Sequence, residues 1–291
     1  MPNWVYHRMR LTGSPQALER FVAQLKREAG EGQDQGQGQD QAPTAYALDF
    51  NVWVPMPAEL EAMEVGGSSH LGDELLAHMA EPWEAFVAQH HWCAQLCQVL
   101  PTKDILVVGD LVRWLDAQPR PDAAQPLTAA QAALQQLQHC LSLGRTRLRH
   151  IERHGHADWY DWSLEHWGTK WNGGTCSVRR NAATELELCF ETAWNSPEPV
   201  LRRIAQAHPT LSGQIDYLDE GFGFAGTYRF GAQVPGGFED EPTSDAAGLA
   251  REVFDWEVDD EEPEPDEVPD PQPQPQPQTV RAVDEHEFPI D

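Results

Sequence analysis

His166, Trp167, Thr169, Lys170 and Trp171 close a stretch, Asp158 to Trp171, that reads DWYDWSLEHWGTKW and holds four of the chain's eleven tryptophans within fourteen residues. A lysine among indole rings can lose its proton more readily than in water, because burial penalises the ammonium form. Aromatic walls with a few polar groups also make a small-ligand pocket. Asp161 and Glu165 lie one helical turn away and could assist such chemistry. The preferred alternative is structural: Lys170 lies over Trp167 or Trp171 as a cation–π contact, and the rings pack the core. Gly168-Thr169-Lys170 is not a phosphate loop, since the GxxxxGK[ST] spacing is absent. No catalytic residue is assigned, and these five residues form the candidate ligand or interaction site.

Three other groups could do chemistry. His150, His154 and His156, with His166, include pairs at helical spacing, but the order HxExH misplaces the glutamate for a zinc hydrolase. No metal is assigned, and no cofactor is expected. His90, Cys93 and Cys97 have ligand-like spacing, yet share an apolar stripe with Trp83 and Val87, where buried cysteine is the ordinary outcome. Arg145, Arg147, Arg149 and Arg153 form a basic cluster that reads as a solvated helix face, with reception of an acidic tail or partner as the alternative.

The elements that must position these residues follow from periodicity. Trp4, Tyr6, Arg8 and Arg10 alternate with Val5, Met9 and Leu11, a strand that ends at Thr12-Gly13. Ser14 and Pro15 open a helix with Leu18, Phe21, Val22 and Leu25 inward. The Gly/Gln/Asp run of residues 30–43 predicts a flexible loop, and residues 45–54 a strand stopped by Pro55. Residues 61–157 turn helical, with Thr128 and Gln131 as a capping box, and read as an insertion. Asp158 should cap a short helix that Gly168 stops. Residues 176–180 and 186–192 pair as a hairpin, Ser196 caps a helix with Pro197 in its first turn, and residues 214–218 and 222–230 form a second hairpin. The order strand-helix-strand, insertion, strand-strand-helix-strand-strand implies an α+β two-layer sandwich, an elaborated ferredoxin-like fold built from residues 1–60 and 158–237.

The net charge of −27 is concentrated at the C-terminal end: residues 239–291 carry nineteen acidic residues against Arg251 and Arg281. The remaining body is ordinarily acidic, so duplex nucleic acid is not an expected partner. Residues 238–291 predict a disordered acidic Pro/Gln-rich tail with two apolar islands, around Phe254 and Trp256 and at Phe288 and Ile290, kept for docking. No signal peptide or run of about 18 apolar residues is seen, so no membrane span is expected. Five scattered cysteines fit a reducing cytoplasm.

The phrase WxxWSxxxWGTKW at Trp159 to Trp171, with MPNW at the start, DFNxWxPMPxEL at Asp49 to Leu60 and GFGFAGxY at Gly221 to Tyr228, resembles the Api-like ferredoxin-like domain family. The agreement covers roughly residues 1–60 and 158–231. Similar proteins usually show Asn where this chain has His166. The resemblance implies a ferredoxin-like domain of unknown function and a setting in a phage, plasmid or other mobile element. With the tail islands, it points first to a non-enzymatic protein-interaction protein. A small-molecule binder or enzyme using the seam from Gly168 to Trp171 is the alternative, and single-stranded nucleic-acid binding on the sheet is the third.

Overall fold

Alternation in the first strand decides which way every later element faces. The computed structural model describes residues 3–27, 44–90, 103–119 and 127–258. In β1 (Trp4–Thr12), Val5, His7, Met9 and Leu11 are buried on one face, while Trp4, Tyr6, Arg8 and Arg10 lie on the other. The buried face meets α1 (Pro15–Val22) through Leu18 and Phe21 and α8 (Glu198–Ala207) through Val200, Leu201 and Ile204. Ser14 Oγ accepts the Ala17 N–H at 3.2 Å, as expected of a helix cap.

Eight antiparallel strands form one sheet in the order β2-β3-β4-β5-β1-β6-β7-β8 among the described residues. They are β1, β2 (Lys26–Arg27), β3 (Thr44–Ala47), β4 (Thr175–Ala182), β5 (Glu185–Ala193), β6 (Ser212–Asp219), β7 (Ala225–Phe230) and β8 (Phe238–Thr243). β1 is central and pairs with β5 and β6, placing His7 opposite both Phe190 and Tyr217. A ferredoxin-like arrangement of helices on one face of an antiparallel sheet is therefore present.

Between β3 and β4 run α2 (Ala58–Glu61), α3 (Gly67–Ala77), α4 (Trp83–Gln89), α5 (Val108–Ala117), α6 (Ala129–His154) and α7 (Trp159–His166). This helical segment has its own apolar cluster, with Leu75, Phe86, Val108, Leu111, Leu115 and Leu137 at its centre. Helices α3 and α6 touch backbone to backbone at Gly72 and Gly144: a Cβ on Gly72 would fall 2.0 Å from the Cys140 carbonyl oxygen. The Thr128 and Gln131 capping box is formed. No helix of the described residues is long and apolar enough to cross a membrane.

Several expectations are corrected. The strand over residues 45–54 stops at Ala47, because the Asp49 carboxylate accepts the Asn51 N–H at 3.1 Å and bends Phe50–Val52 into a 3-10 turn. Ser196 caps nothing, for α8 starts at Glu198 without a side-chain cap and the Ser196 hydroxyl serves His7 instead. The body does not end at residue 237: β8 and α9 (Ala246–Phe254) continue it, and the described residues up to Trp256 form one compact unit. The run of residues 30–43, Cys93, Cys97 and the tail from residue 259, with Phe288 and Ile290, lie outside the described residues.

The arginine cluster is largely spent inside the body. Arg145 makes a two-pronged pair with Asp116 at 2.7–2.8 Å, Arg147 bridges Asp73 and Asp158, and Arg153 meets Glu59 at 2.7 Å. Arg149 donates to the Thr146 hydroxyl at 2.9 Å.

His7 gives the core a pH dependence. Its ring stacks on Phe190 with centroids 4.5 Å apart, and Nε2 lies 2.9 Å from Ser196 Oγ. Burial lowers its pKa from 6.5 to about 3, since the imidazolium cannot be solvated there. The unfolded chain therefore binds a proton that the folded one refuses. Stability from this source is complete above about pH 6.5 and is lost as pH falls toward about 3. Urea unfolding between pH 4 and 7 should show the parent losing up to about 1.4 kcal/mol per pH unit more than His7→Gln. Parallel curves would remove this account of His7.

Candidate functional site

The Trp-rich stretch is held at both ends by its own polar groups. Asp158 Oδ1 accepts the Tyr160 N–H at 2.9 Å and starts α7. At the other end Trp167 and Gly168 donate their N–H groups to the Ser163 carbonyl, at 2.8 and 3.1 Å. Gly168 turns the chain out of the helix at φ 81°, and a Cβ there would lie 2.7 Å from Pro199 Cδ. Glycine is required both for the left-handed backbone and for the close approach.

The five candidate residues are not one site. Trp167 is buried, meets Phe50 edge-on and donates its indole N–H to the Val54 carbonyl at 2.8 Å. Thr169 is fully buried and donates its hydroxyl to the Ala193 carbonyl at 2.7 Å. Both are structural ties from the seam to its neighbours. His166 faces the Trp162 ring, 4.5 Å between centroids, and lies beside His156. His166 and Lys170 are half-buried, and Trp171 alone of the five is exposed.

Lys170 does sit over aromatic rings, but the set differs from the expected one. Its Nζ lies 4.4 Å from the centroid of Trp194, 4.9 Å from Trp171 and 5.7 Å from Tyr160, a three-sided cage filled by the chain's own ammonium. Trp194 is the wall that the sequence hides. It has φ 74°, a conformation uncommon for a side chain of this size, at the end of β5 where its N–H donates to the Asn3 carbonyl at 2.8 Å. Only its aromatic type beside the Asn195-Ser196-Pro197 turn could have signalled it.

Trp171 is 39% exposed and leans on Trp4 with centroids 5.8 Å apart. These two rings open a groove of about 640 Å³ on the sheet face away from α1 and α8. Its other lining residues include Tyr6, Arg8, Ser177, Cys189, Glu191 and Phe254. Burial, with Glu191 and Glu220 nearby, raises the Tyr6 pKa and keeps the phenol protonated. Arg8 lies 3.6 Å from Asp255 and 6.0 Å from the Phe254 ring centre, and Arg10 is paired at 2.6 Å with buried Asp216. The two arginines that alternation aims at this face are thus neutralised by carboxylates, a poor platform for a polyanion.

Phe254 and Trp256, expected to dock on a partner, dock on this sheet. Trp256 stands edge-on to Tyr6 at 4.8 Å and to Phe222 at 6.2 Å, and Phe254 supplies one wall of the groove. The histidine series also divides. His150 Nδ1 binds the Ala157 carbonyl at 3.1 Å and His154 pairs with Glu59, whereas His156 Nε2 lies 3.2 Å from Glu165 Oε2 with the His166 ring adjacent.

Replacing Lys170 by Met keeps the apolar stem and removes the cation. Urea denaturation should show a loss of about 1 kcal/mol. An unchanged or raised stability would mean that the cage contributes no cation–π energy.

The search of curated proteins found no match. A crystal structure of the protein api92 from Yersinia pseudotuberculosis is similar with 11% identity and a TM-score of 0.36, over 84% of this chain and 99% of that one. Residues 166–257, from the last turn of α7 through Glu257, match the family model described as the ferredoxin-like domain in Api92-like protein. The matched span closes one residue after the ring that docks on Tyr6, in agreement with a body that extends to Trp256. Residues 166–257 are thus similar to the ferredoxin-like domain in Api92-like protein.

Proposed function

We propose that the protein is a non-enzymatic protein-interaction protein of a phage, plasmid or other mobile element, and that its main partner contact is the groove on the open sheet face. The observation that supports this is the pair of rings Trp4 and Trp171, held partly in solvent by a rigid sheet and by the seam behind them. A partner's apolar side chain would displace water from both rings, with Glu191 and the Arg8–Asp255 pair as polar rim. The mobile-element setting rests on the family resemblance. A reducing cytoplasm is supported by Cys140, Cys176 and Cys189 being free thiols. The second apolar island of the acidic tail, Phe288 and Ile290, is proposed to add a contact to the same partner.

A second reading, a small-molecule binder, is favoured by the groove's volume of about 640 Å³, within the usual range for ligand sites. Pull-downs from host lysate separate the two. Trp171→Glu and a chain ending at residue 258 should each lose proteins that the full parent chain retains. Identical protein sets for all three forms would overturn the interaction reading, and a raised melting temperature with a small aromatic compound that Trp171→Glu abolishes would replace it.

A further inference from the structure

Two imidazoles and a carboxylate meet at the junction of α6 and α7. The ligand atoms of His156, Glu165 and His166 all lie within 4.8 Å of one another. His156 Nε2 is 3.2 Å from Glu165 Oε2, and the two imidazole rings stand edge to face with centroids 5.3 Å apart. His156 follows the left-handed Gly155 that ends α6, and Glu165 and His166 form the last turn of α7. A group held by all three would tie the connection before α7 to the helix's far end.

The arrangement is open on one side. The His156 side chain is 13% exposed and Glu165 is 67% exposed, so an ion can enter past the carboxylate and keep a water ligand. The second imidazole is also placed: Trp162 packs on the His166 ring, limiting its rotation. Two neutral nitrogen donors and one carboxylate suit zinc and its first-row neighbours, whereas magnesium and calcium prefer oxygen alone.

We propose that His156, Glu165 and His166 form a binding site for a divalent transition-metal ion, with zinc as the natural occupant and water completing its tetrahedron. The ion clamps the α6–α7 connection to the end of α7 and so stiffens the stretch that carries the Lys170 cage. None of its three residues lines the groove, so the test of this site stands apart from that of the proposed partner contact.

The test uses the full chain with any affinity tag removed, titrated with Zn²⁺ by calorimetry and with Co²⁺ by visible absorption. One ion per chain is expected, with the intense bands of four-coordinate cobalt and a melting temperature that Zn²⁺ raises and a chelator restores. His156→Ala, Glu165→Gln and His166→Asn should each weaken binding about tenfold or more. His139→Ala, which removes another exposed histidine near a glutamate, should change nothing. Circular dichroism in chelator shows which variants are folded, and Glu165→Gln at the exposed position is the safest of them. Absence of binding, or folded variants that bind as the parent does, would overturn the site.

Discussion

Arg147 holds the two apolar clusters of the described residues in one frame. Its guanidinium donates from Nε to Asp73 of α3 at 2.7 Å and from Nη1 to Asp158, the residue that caps α7. Arg147 and Asp158 are both buried. Burial works against the charge, but the Asp158 and Asp73 carboxylates outweigh it and hold the Arg147 pKa above its ordinary value. Asp158 thereby does two things at once, taking the guanidinium on Oδ2 and the Tyr160 N–H on Oδ1. The helical segment, through α3 and α6, is fastened to the first turn of the tryptophan helix by groups that no apolar residue could replace singly.

The remainder of α7 and the seam beyond it depend on that start. Once the helix begins at Asp158, Trp162 and Trp167 fall into the body's core, and Gly168 turns the chain so that Thr169 reaches the Ala193 carbonyl on β5. Lys170 and Trp171 then emerge at the edge of the sheet, one inside an aromatic cage and the other against Trp4. The structure thus separates by one or two residues what looks like a single cluster in sequence. Trp167 and Thr169 are occupied by backbone carbonyls, Lys170 by its own aromatic walls, and Trp171 alone of the five lines the groove.

Local signals were readable wherever a local interaction decides the conformation. Ser14, Thr128 and Asp158 cap helices because each side chain reaches a backbone N–H two or three residues on. Alternation in β1 and β5 was equally legible, since one face of each is buried. Long-range pairing was not. The β8 segment FEDEPT looks like tail, with three acidic residues and a proline, yet it is an edge strand whose Asp240 accepts the Tyr217 hydroxyl at 3.0 Å and whose Glu241 pairs with Arg229. Ser196 read as a cap because its later partner, His7, lies at the other end of the chain. Trp194 escaped because a positive φ in a bulky residue is imposed by surroundings that no neighbouring residue announces. The groove was invisible for the same reason: its walls come from β1, the seam, β4, β5 and α9.

A double-mutant cycle of Arg147→Met and Asp158→Asn, read by urea unfolding, tests most directly whether this buried pair fastens the two clusters. Either change alone leaves a buried polar partner unsatisfied, so the account predicts a coupling of about 2 kcal/mol or more, with the double variant more stable than the sum of the single losses implies. Losses that add to within about 0.5 kcal/mol would show that the two side chains act independently and would contradict the account.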